Sequence, residues 1–408
     1  MTRIALISVH GDPSADIGAE GAGGQNVYVR EVARNLARRG LEIDVFTRSQ
    51  AGELVRERAL FPGVRLVSVP CGPEGYVPRD ALFAELPEFV RHAADWVKRH
   101  GVRYRALHSN YWLSGWVGMR LAGLWKTPQT HTFHSLGRVK YAALGAAIPH
   151  RGRIRLGVEE AIASTATALV ATTQDEAEKL RHSYQASAPI ALIPCGFDAE
   201  RFRPLDRAQC RQDLGLPADA PILLYVGRFV KEKGVETLIR AAAVLRLEHP
   251  VHLVLVGGYQ EGGADEAEYR RVRDLISALG LGPATTFAGA VDHGGLAAYY
   301  AAADVTVVPS HYEAFGMVAI EAMACGCPVV ASAAGGLAAN ILDGRTGLLA
   351  TPRDVPAFTH AIARVLAVPG LARKLARSAL VRAHREFDWA RVALCLDRHY
   401  ASLQPAGV

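Results

Sequence analysis

The sequence predicts an α/β protein of two doubly wound domains, on three observations. Short apolar runs alternate with helical patterns along the chain, as expected of parallel sheets flanked by helices. That alternation breaks once, around Pro194 to Pro221, and then restarts. The length of 408 residues suits two domains better than one.

Residues 4–9 form a compact apolar run that leads into His10, Gly11 and Asp12, so they read as a buried first strand and not as a secretory leader. A glycine-rich loop from Gly18 to Gly24 precedes a helix over 26–39, which Gly40 ends as a C′ residue. Strands follow over 43–47 and 64–69, then a helix over 82–100, a strand over 106–108 and a helix over 114–124. A strand over 130–133, a long helix over 153–165 and a strand over 168–173 complete the first domain. Residues 194–221 read as a linker. The second domain begins with a strand over 221–227. It continues with a helix over 235–247, strands over 252–256 and 286–288, and helices over 267–279 and 296–302. The domain boundaries are therefore 1–195 and 196–386, with a last amphipathic helix over about 387–408.

The segment from Pro309 to Gly326 carries most of the chemistry. It lies between apolar runs at 305–308 and 328–331, so it reads strand, loop, helix, strand, with the helix starting near Phe315. Glu313 then sits in the loop and Glu321 about two turns into the helix. Eight residues of helical rise span about 12 Å, close to the reach of a nucleotide sugar from its sugar ring to its ribose. Between the carboxylates lie the first free amides, those of Phe315, Gly316, Met317 and Val318. A helix N-terminus attracts phosphate through such donors and its dipole. Gly316 lets a ligand approach the backbone closely. The plain alternative is that Glu313 caps the helix and Glu321 is solvated.

In the second domain Arg228 follows the first strand, and Lys233 sits in the Lys231-Glu232-Lys233-Gly234 turn. Cations at a strand's C-terminal end can meet a diphosphate on that edge. No D-x-D pair occurs in the sequence to hold a metal on that diphosphate. The glycine-rich dinucleotide motif, the P-loop, the hydrolase nucleophile elbow and the zincin helix are also missing. The net charge of +6 suits anionic small molecules. No basic run with interleaved aromatics points to nucleic acid, and an anionic membrane surface stays open as a partner. Six scattered cysteines read as reduced thiols of a cytoplasmic protein.

The string Glu313-Ala-Phe-Gly-Met-Val-Ala-Ile-Glu321 resembles the E-x7-E segment of retaining glycosyltransferases of family GT4. Three further strings resemble its branch of sucrose-phosphate synthases and D-inositol 3-phosphate glycosyltransferases: Gly23-Gly24-Gln25-Asn26-Val-Tyr28, His108-Ser-Asn-Tyr111-Trp-Leu-Ser-Gly115, and His131-Thr-Phe-His134-Ser135-Leu-Gly137. Together they cover both domains. The resemblance implies a GT-B architecture with two Rossmann-like domains facing across a cleft, and a final helix that returns to the first domain. It implies hexosyl transfer with retention from a nucleoside-diphosphate sugar to a hydroxyl of a small phosphorylated acceptor, inositol phosphate or hexose phosphate. Front-face attack is implied, with no metal and no required cofactor beyond the sugar nucleotide as co-substrate.

By the same resemblance Arg228 and Lys233 hold the donor diphosphate, while Glu313 and Glu321 hold the donor's sugar and ribose. His134 lines the donor sugar, and Gly24 admits sugar and phosphate. Asn26, Tyr111, Thr132 and Arg155 face the acceptor, with Arg79 and Lys140 beside them. Ser135 takes the place of a threonine that touches acceptor phosphate. A lipid or polysaccharide acceptor, a nucleotide-sugar 2-epimerase and a non-catalytic sugar-nucleotide-binding protein are the competing readings.

Overall fold

The computed structural model describes residues 2–15, 23–52, 54–145, 148, 150–259 and 262–404. Most of the glycine-rich loop from Gly18 to Gly24 and the last four residues of the expected final helix lie outside them. The chain divides into two compact units, Met1–Cys195 with Trp389–Val408, and Gly196–Asp388.

In the first unit the strands are β1 (Arg3–Ile7), β2 (Glu42–Ser49), β3 (Arg56–Phe61), β4 (Val64–Pro70), β5 (Ala106–Asn110), β6 (Gln129–Thr132), β7 (Ala168–Ala171) and β8 (Ile190–Leu192). Among the described residues they form one sheet in the order β3-β4-β2-β1-β5-β6-β7-β8. All pair in parallel except β3, which runs antiparallel to β4. Ile4 to Ile7 are buried because helices cover both faces of a parallel sheet. The strand order reverses between β1 and β5, and such a switch point opens a crevice at the strands' C-terminal ends.

The second unit repeats the plan with β9 (Ile222–Val226), β10 (His252–Val256), β11 (Thr285–Gly289), β12 (Val305–Val308), β13 (Val329–Ser332) and β14 (Leu348–Ala350). They pair in parallel in the order β11-β10-β9-β12-β13-β14. The switch point here lies between β9 and β12, where Thr306 pairs with Leu224. The final helix, Trp389–Ser402, belongs to the first unit. Arg39 pairs with its Asp397 at 2.7 Å, and Tyr28 meets the Trp389 ring edge-on at 5.7 Å.

Several expectations need correction. The stretch read as a linker contains the helix Arg207–Asp213, capped by the Asp206 side chain on the Gln209 N–H. Arg211 anchors that helix to the Ala302 carbonyl and to Asp304, so it is part of the second unit. The helix expected over 82–100 is a short turn followed by a helix at Leu86–His100. Strand β3 and the helix Gln174–Ser183 were not anticipated. The first is a mostly exposed edge strand without alternation, and the second is polar apart from one buried face. Strand β14 adds a further edge beyond the segment expected to close the second sheet.

Candidate active site

In the second unit, the loops after β9 and β12 flank the switch point. The helix after β12 starts at Met317 and ends at Ala324, two residues later than the sequence suggests. Gly316 causes the delay. It caps the helix with φ +92°, and a Cβ there would lie 2.5 Å from Leu337 Cδ2. The loop before it is held from behind. Gly336 N–H donates to the Glu313 carbonyl at 2.9 Å, and Asn340 Nδ2 donates to the Phe315 carbonyl at 2.8 Å. A side chain on Gly336 would strike Phe315 Cα at 2.4 Å.

Ala319 N–H makes the first helical bond, to the Gly316 carbonyl at 3.0 Å. The amides of Met317 and Val318 precede it, at the positive end of the helix dipole. Phe315 itself is buried against Phe387, so only its backbone belongs to the site.

Lys233 Nζ donates to Glu313 Oε2 at 2.6 Å, and Ser310 Oγ donates to the same oxygen at 3.2 Å. Arg228 is mostly exposed, with a long ion pair to Asp265 at 3.7 Å. Two cations and two helix amides thus lie on the segments that follow the neighbouring strands β9 and β12. Glu321 lies one turn into the helix instead of two, so the span estimated from helical rise does not apply. It is 3% exposed and far from the solvated state of the plain alternative. Its Oε1 accepts from His293 Nε2 at 2.8 Å and its Oε2 from Tyr300 OH at 2.9 Å.

In the first unit, the residues after β1, β5 and β6 gather at the other switch point. Tyr111 (φ +74°) and His134 (φ +58°) both hold the left-handed backbone that non-glycine residues avoid. Such strain concentrates at functional sites. The Tyr111 ring has the Arg155 guanidinium carbon 5.0 Å from its centroid and that of Arg79 at 6.0 Å. His10, which follows β1, lies 4.7 Å from it ring to ring.

His134 Nε2 donates to Asn110 Oδ1 at 2.9 Å, since the Asn110 amide nitrogen faces two carbonyls. The ring is half-buried, and its desolvation pushes the His134 pKa down to about 3. His134 is therefore a neutral hydrogen-bonding group with Nδ1 as its acceptor, and a weak base at neutral pH. Gly24 is exposed as the first residue of the helix Gly24–Arg38. Lys140 is half-exposed on the helix Gly137–Leu144.

Three residues expected to face an acceptor are buried and hydrogen-bonded within the protein. Thr132 is fully buried, with Oγ1 2.8 Å from His108 Nε2. The Asn26 amide is spent locally, donating to the Asp12 carbonyl at 2.8 Å and accepting from Gly23 N–H at 3.0 Å. Arg155 is buried and donates to Glu159 Oε1 at 2.7 Å, to Tyr111 OH at 3.2 Å, and to the Ser135 carbonyl and Oγ at 2.7 and 3.0 Å. It is a strut that holds Tyr111 and Ser135 in place.

Sequence reasoning missed the supporting partners: Glu159 and Tyr184 behind Arg155, Asn110 and Tyr28 behind His134, and His293 and Tyr300 behind Glu321. His10 had a usable signal, its place at a strand's C-terminal end. Glu159 had another, its i,i+4 spacing from Arg155 on one helix. The others are joined across longer stretches of chain and had none.

Two buried histidines give the first unit a pH signature. Burial pushes the pKa of the fully buried His131 down to about 3, from an ordinary 6.5. Burial, then His399, His131 and His134, hold His108 well below the ordinary range. Both are neutral when folded and take up protons on unfolding once the pH falls below about 6.5. Their contribution is complete above that pH and is lost as pH falls toward 3, with a slope of up to about 1.4 kcal/mol per pH unit for each. Urea unfolding at pH 7 and at pH 5 should give the lower midpoint at pH 5. Equal midpoints would contradict the neutral assignment.

The fold matches glycosyltransferases of the GT-B type over 99% of the chain. Residues 22–201 match Glycosyltransferase Family 4, and residues 206–381 match Glycosyl transferases group 1. The chain belongs to glycosyltransferase family 4. It is 41% identical over 396 residues to a D-inositol 3-phosphate glycosyltransferase of Acidothermus cellulolyticus, covering 95% of this chain and 87% of that one. It is 38% identical over 407 residues to the protein of that name from Actinosynnema mirum, covering 98% and 97%. The structure is similar to a sucrose-phosphate synthase from Thermosynechococcus elongatus, with a TM-score of 0.92, 44% identity and 99% of each chain covered. HepE from Anabaena, in complex with UDP and glucose, shares the fold at a TM-score of 0.76 and 21% identity, over 99% of this chain and 100% of that one.

Proposed function

We propose that this glycosyltransferase moves a hexosyl group, with retention, from a nucleoside-diphosphate sugar to a hydroxyl of a small phosphorylated acceptor. The observation that carries the donor half is the set of Arg228, Lys233 and the Met317 and Val318 amides on the segments that follow β9 and β12, beside Glu313. The cations and amides suit a diphosphate, and Glu313 suits the hydroxyls of the transferred sugar. As the acceptor oxygen bonds to the anomeric carbon, the bond from that carbon to the diphosphate breaks and its electron pair leaves with the phosphate. The acceptor's proton passes to a phosphate oxygen. A His134 that is neutral and weakly basic agrees with that route and serves to orient the sugar. Arg228 and Lys233 offset the charge that builds on the leaving group, where preorganised donors have their largest effect.

For the acceptor half, Arg79, Lys140, Ser135 and Tyr111 form the phosphate-facing set, with Asn26, Thr132 and Arg155 supporting from behind. The relatives support a phosphorylated acceptor, since their names specify inositol 3-phosphate and sucrose-phosphate. Six free thiols agree with a reducing, cytoplasmic setting.

The test is a mass-spectrometric screen of nucleotide sugars against inositol phosphate, hexose phosphates and their dephosphorylated forms. The phosphorylated acceptor should react about tenfold faster or more, the size of one charge-assisted contact. The rate should survive excess EDTA. Equal rates with both forms would refute the phosphate site, and turnover only with detergent-dispersed lipid would move the assignment to a lipid acceptor. Acceptor-free conversion of UDP-N-acetylglucosamine would make the protein an epimerase.

A further inference from the structure

We infer that Arg201, His293 and Tyr300 are positioning residues, which set the Glu321 carboxylate as a two-point acceptor for the vicinal hydroxyls of a ribose. The inference rests on the donor half of the proposed function and extends it to residues that neither the sequence motifs nor the family resemblance picked out.

Glu321 is almost wholly buried, so its charge needs partners. It has one on each oxygen, His293 Nε2 at 2.8 Å on Oε1 and Tyr300 OH at 2.9 Å on Oε2. The other nitrogen of His293, Nδ1, lies 2.8 Å from Arg201 Nη1. A guanidinium has no acceptor and keeps its protons. The proton of that bond therefore belongs to Arg201, and Nδ1 is the lone-pair side of a neutral ring. Nε2 must then carry the ring's hydrogen and donate it to Glu321. Tyr300 must also donate, because an ionised carboxylate only accepts.

Packing holds the two donors in place. The Phe202 ring lies edge-on to His293 at 4.9 Å and to Tyr300 at 6.0 Å. The donors come from different elements, His293 from the segment after β11 and Tyr300 from the helix Leu296–Ala302. A solvated glutamate turns freely about its last bond, whereas this one is pinned at both ends.

The lone-pair count explains why two donors suit the task. Each carboxylate oxygen has about two acceptor sites. One on each is taken internally, which leaves one on each for a ligand. Two remaining sites at carboxylate spacing match two adjacent hydroxyls, so the ligand class is a ribonucleotide and not its deoxy counterpart.

The experiment compares binding of UDP, GDP and ADP with their 2′,3′-dideoxy forms to the full-length chain by calorimetry, using the nucleotide that binds tightest. Wild type should favour the ribose form on the order of 10–100-fold, as expected of hydrogen bonds to a charged group. Tyr300→Phe and His293→Leu should shrink that preference to about threefold or less and leave dideoxy binding unchanged. In turnover they should raise the donor KM and change kcat little. His293→Gln, whose amide can both accept from Arg201 and donate to Glu321, should restore the preference. Equal weakening of the ribose and dideoxy forms would show a merely structural role and overturn the inference, as would an unchanged preference in both variants. Wild type that binds nucleotide without ribose preference would overturn this inference alone. Wild type that binds none of the three would overturn the donor half of the proposed function as well.

Discussion

Lys233→Ala and Arg228→Ala each lower kcat by about 10²–10³-fold, the usual loss when one preorganised donor to a developing oxyanion is removed. Neither change should unfold the chain. Arg228 is mostly exposed, and the Lys233–Glu313 pair keeps solvent on both partners, so little stability rests on either. Lys233 should be the more damaging site. Its Nζ is held at 2.6 Å by Glu313, which fixes its position before substrate arrives, whereas Arg228 has a long pair with Asp265. Donor KM should rise less than kcat falls, because the charge they oppose grows in the transition state. Steady-state kinetics on both variants and on the double variant check this. Near-wild-type turnover in both would place the diphosphate elsewhere.

Arg155→Ala should destabilise the chain by about 3–5 kcal/mol, as expected when a buried ion pair loses one partner. Arg155 and Glu159 are almost fully buried and 2.7 Å apart, so the remaining carboxylate cannot be rehydrated by water at the surface. Gly137 N–H at 2.9 Å and Tyr184 OH at 2.6 Å still bond Glu159, which puts the loss toward the lower end. The variant should also impair acceptor use, since Tyr111 and Ser135 lose the group that holds them. Replacing both partners with leucine should recover only part of the stability, because it removes the buried charge but leaves Gly137 N–H and Tyr184 OH without their acceptor. Urea unfolding of the single and double variants measures this. An Arg155→Ala chain of unchanged stability that loses only its preference for phosphorylated acceptors would make Arg155 a direct ligand and refute the strut assignment.

Much of the fold could be read from local pattern. Apolar runs such as Ile4 to Ile7 and Val305 to Val308 announce buried parallel strands, and Gly40 marks a helix end by its own backbone chemistry. The same local logic places Arg228, Glu313, Tyr111 and His134 just past strand C-termini, where a parallel sheet exposes its binding edge. Strand β3 escaped because an exposed edge strand has no buried face to impose alternation.

Which way a side chain points, and what it meets, depends on chain segments far away in sequence. Thr132 and Asn26 stand at the expected positions yet face inward, because His108 and the turn at Asp12 take their hydrogen bonds. Lys233 and Glu313 are 80 residues apart, Arg155 and Tyr111 are 44 apart, and Glu321 and His293 are 28 apart. Periodicity and turn chemistry act over a few residues and can place each member of such a pair near its strand end. The pair itself forms only when the sheet order brings the two segments together, here at the reversals between β1 and β5 and between β9 and β12. The helix start moved from Phe315 to Met317 for the same reason: the helix Gly335–Asn340, which follows β13, packs against the turn, where Gly336 N–H bonds the Glu313 carbonyl and Leu337 leaves no room for a side chain on Gly316.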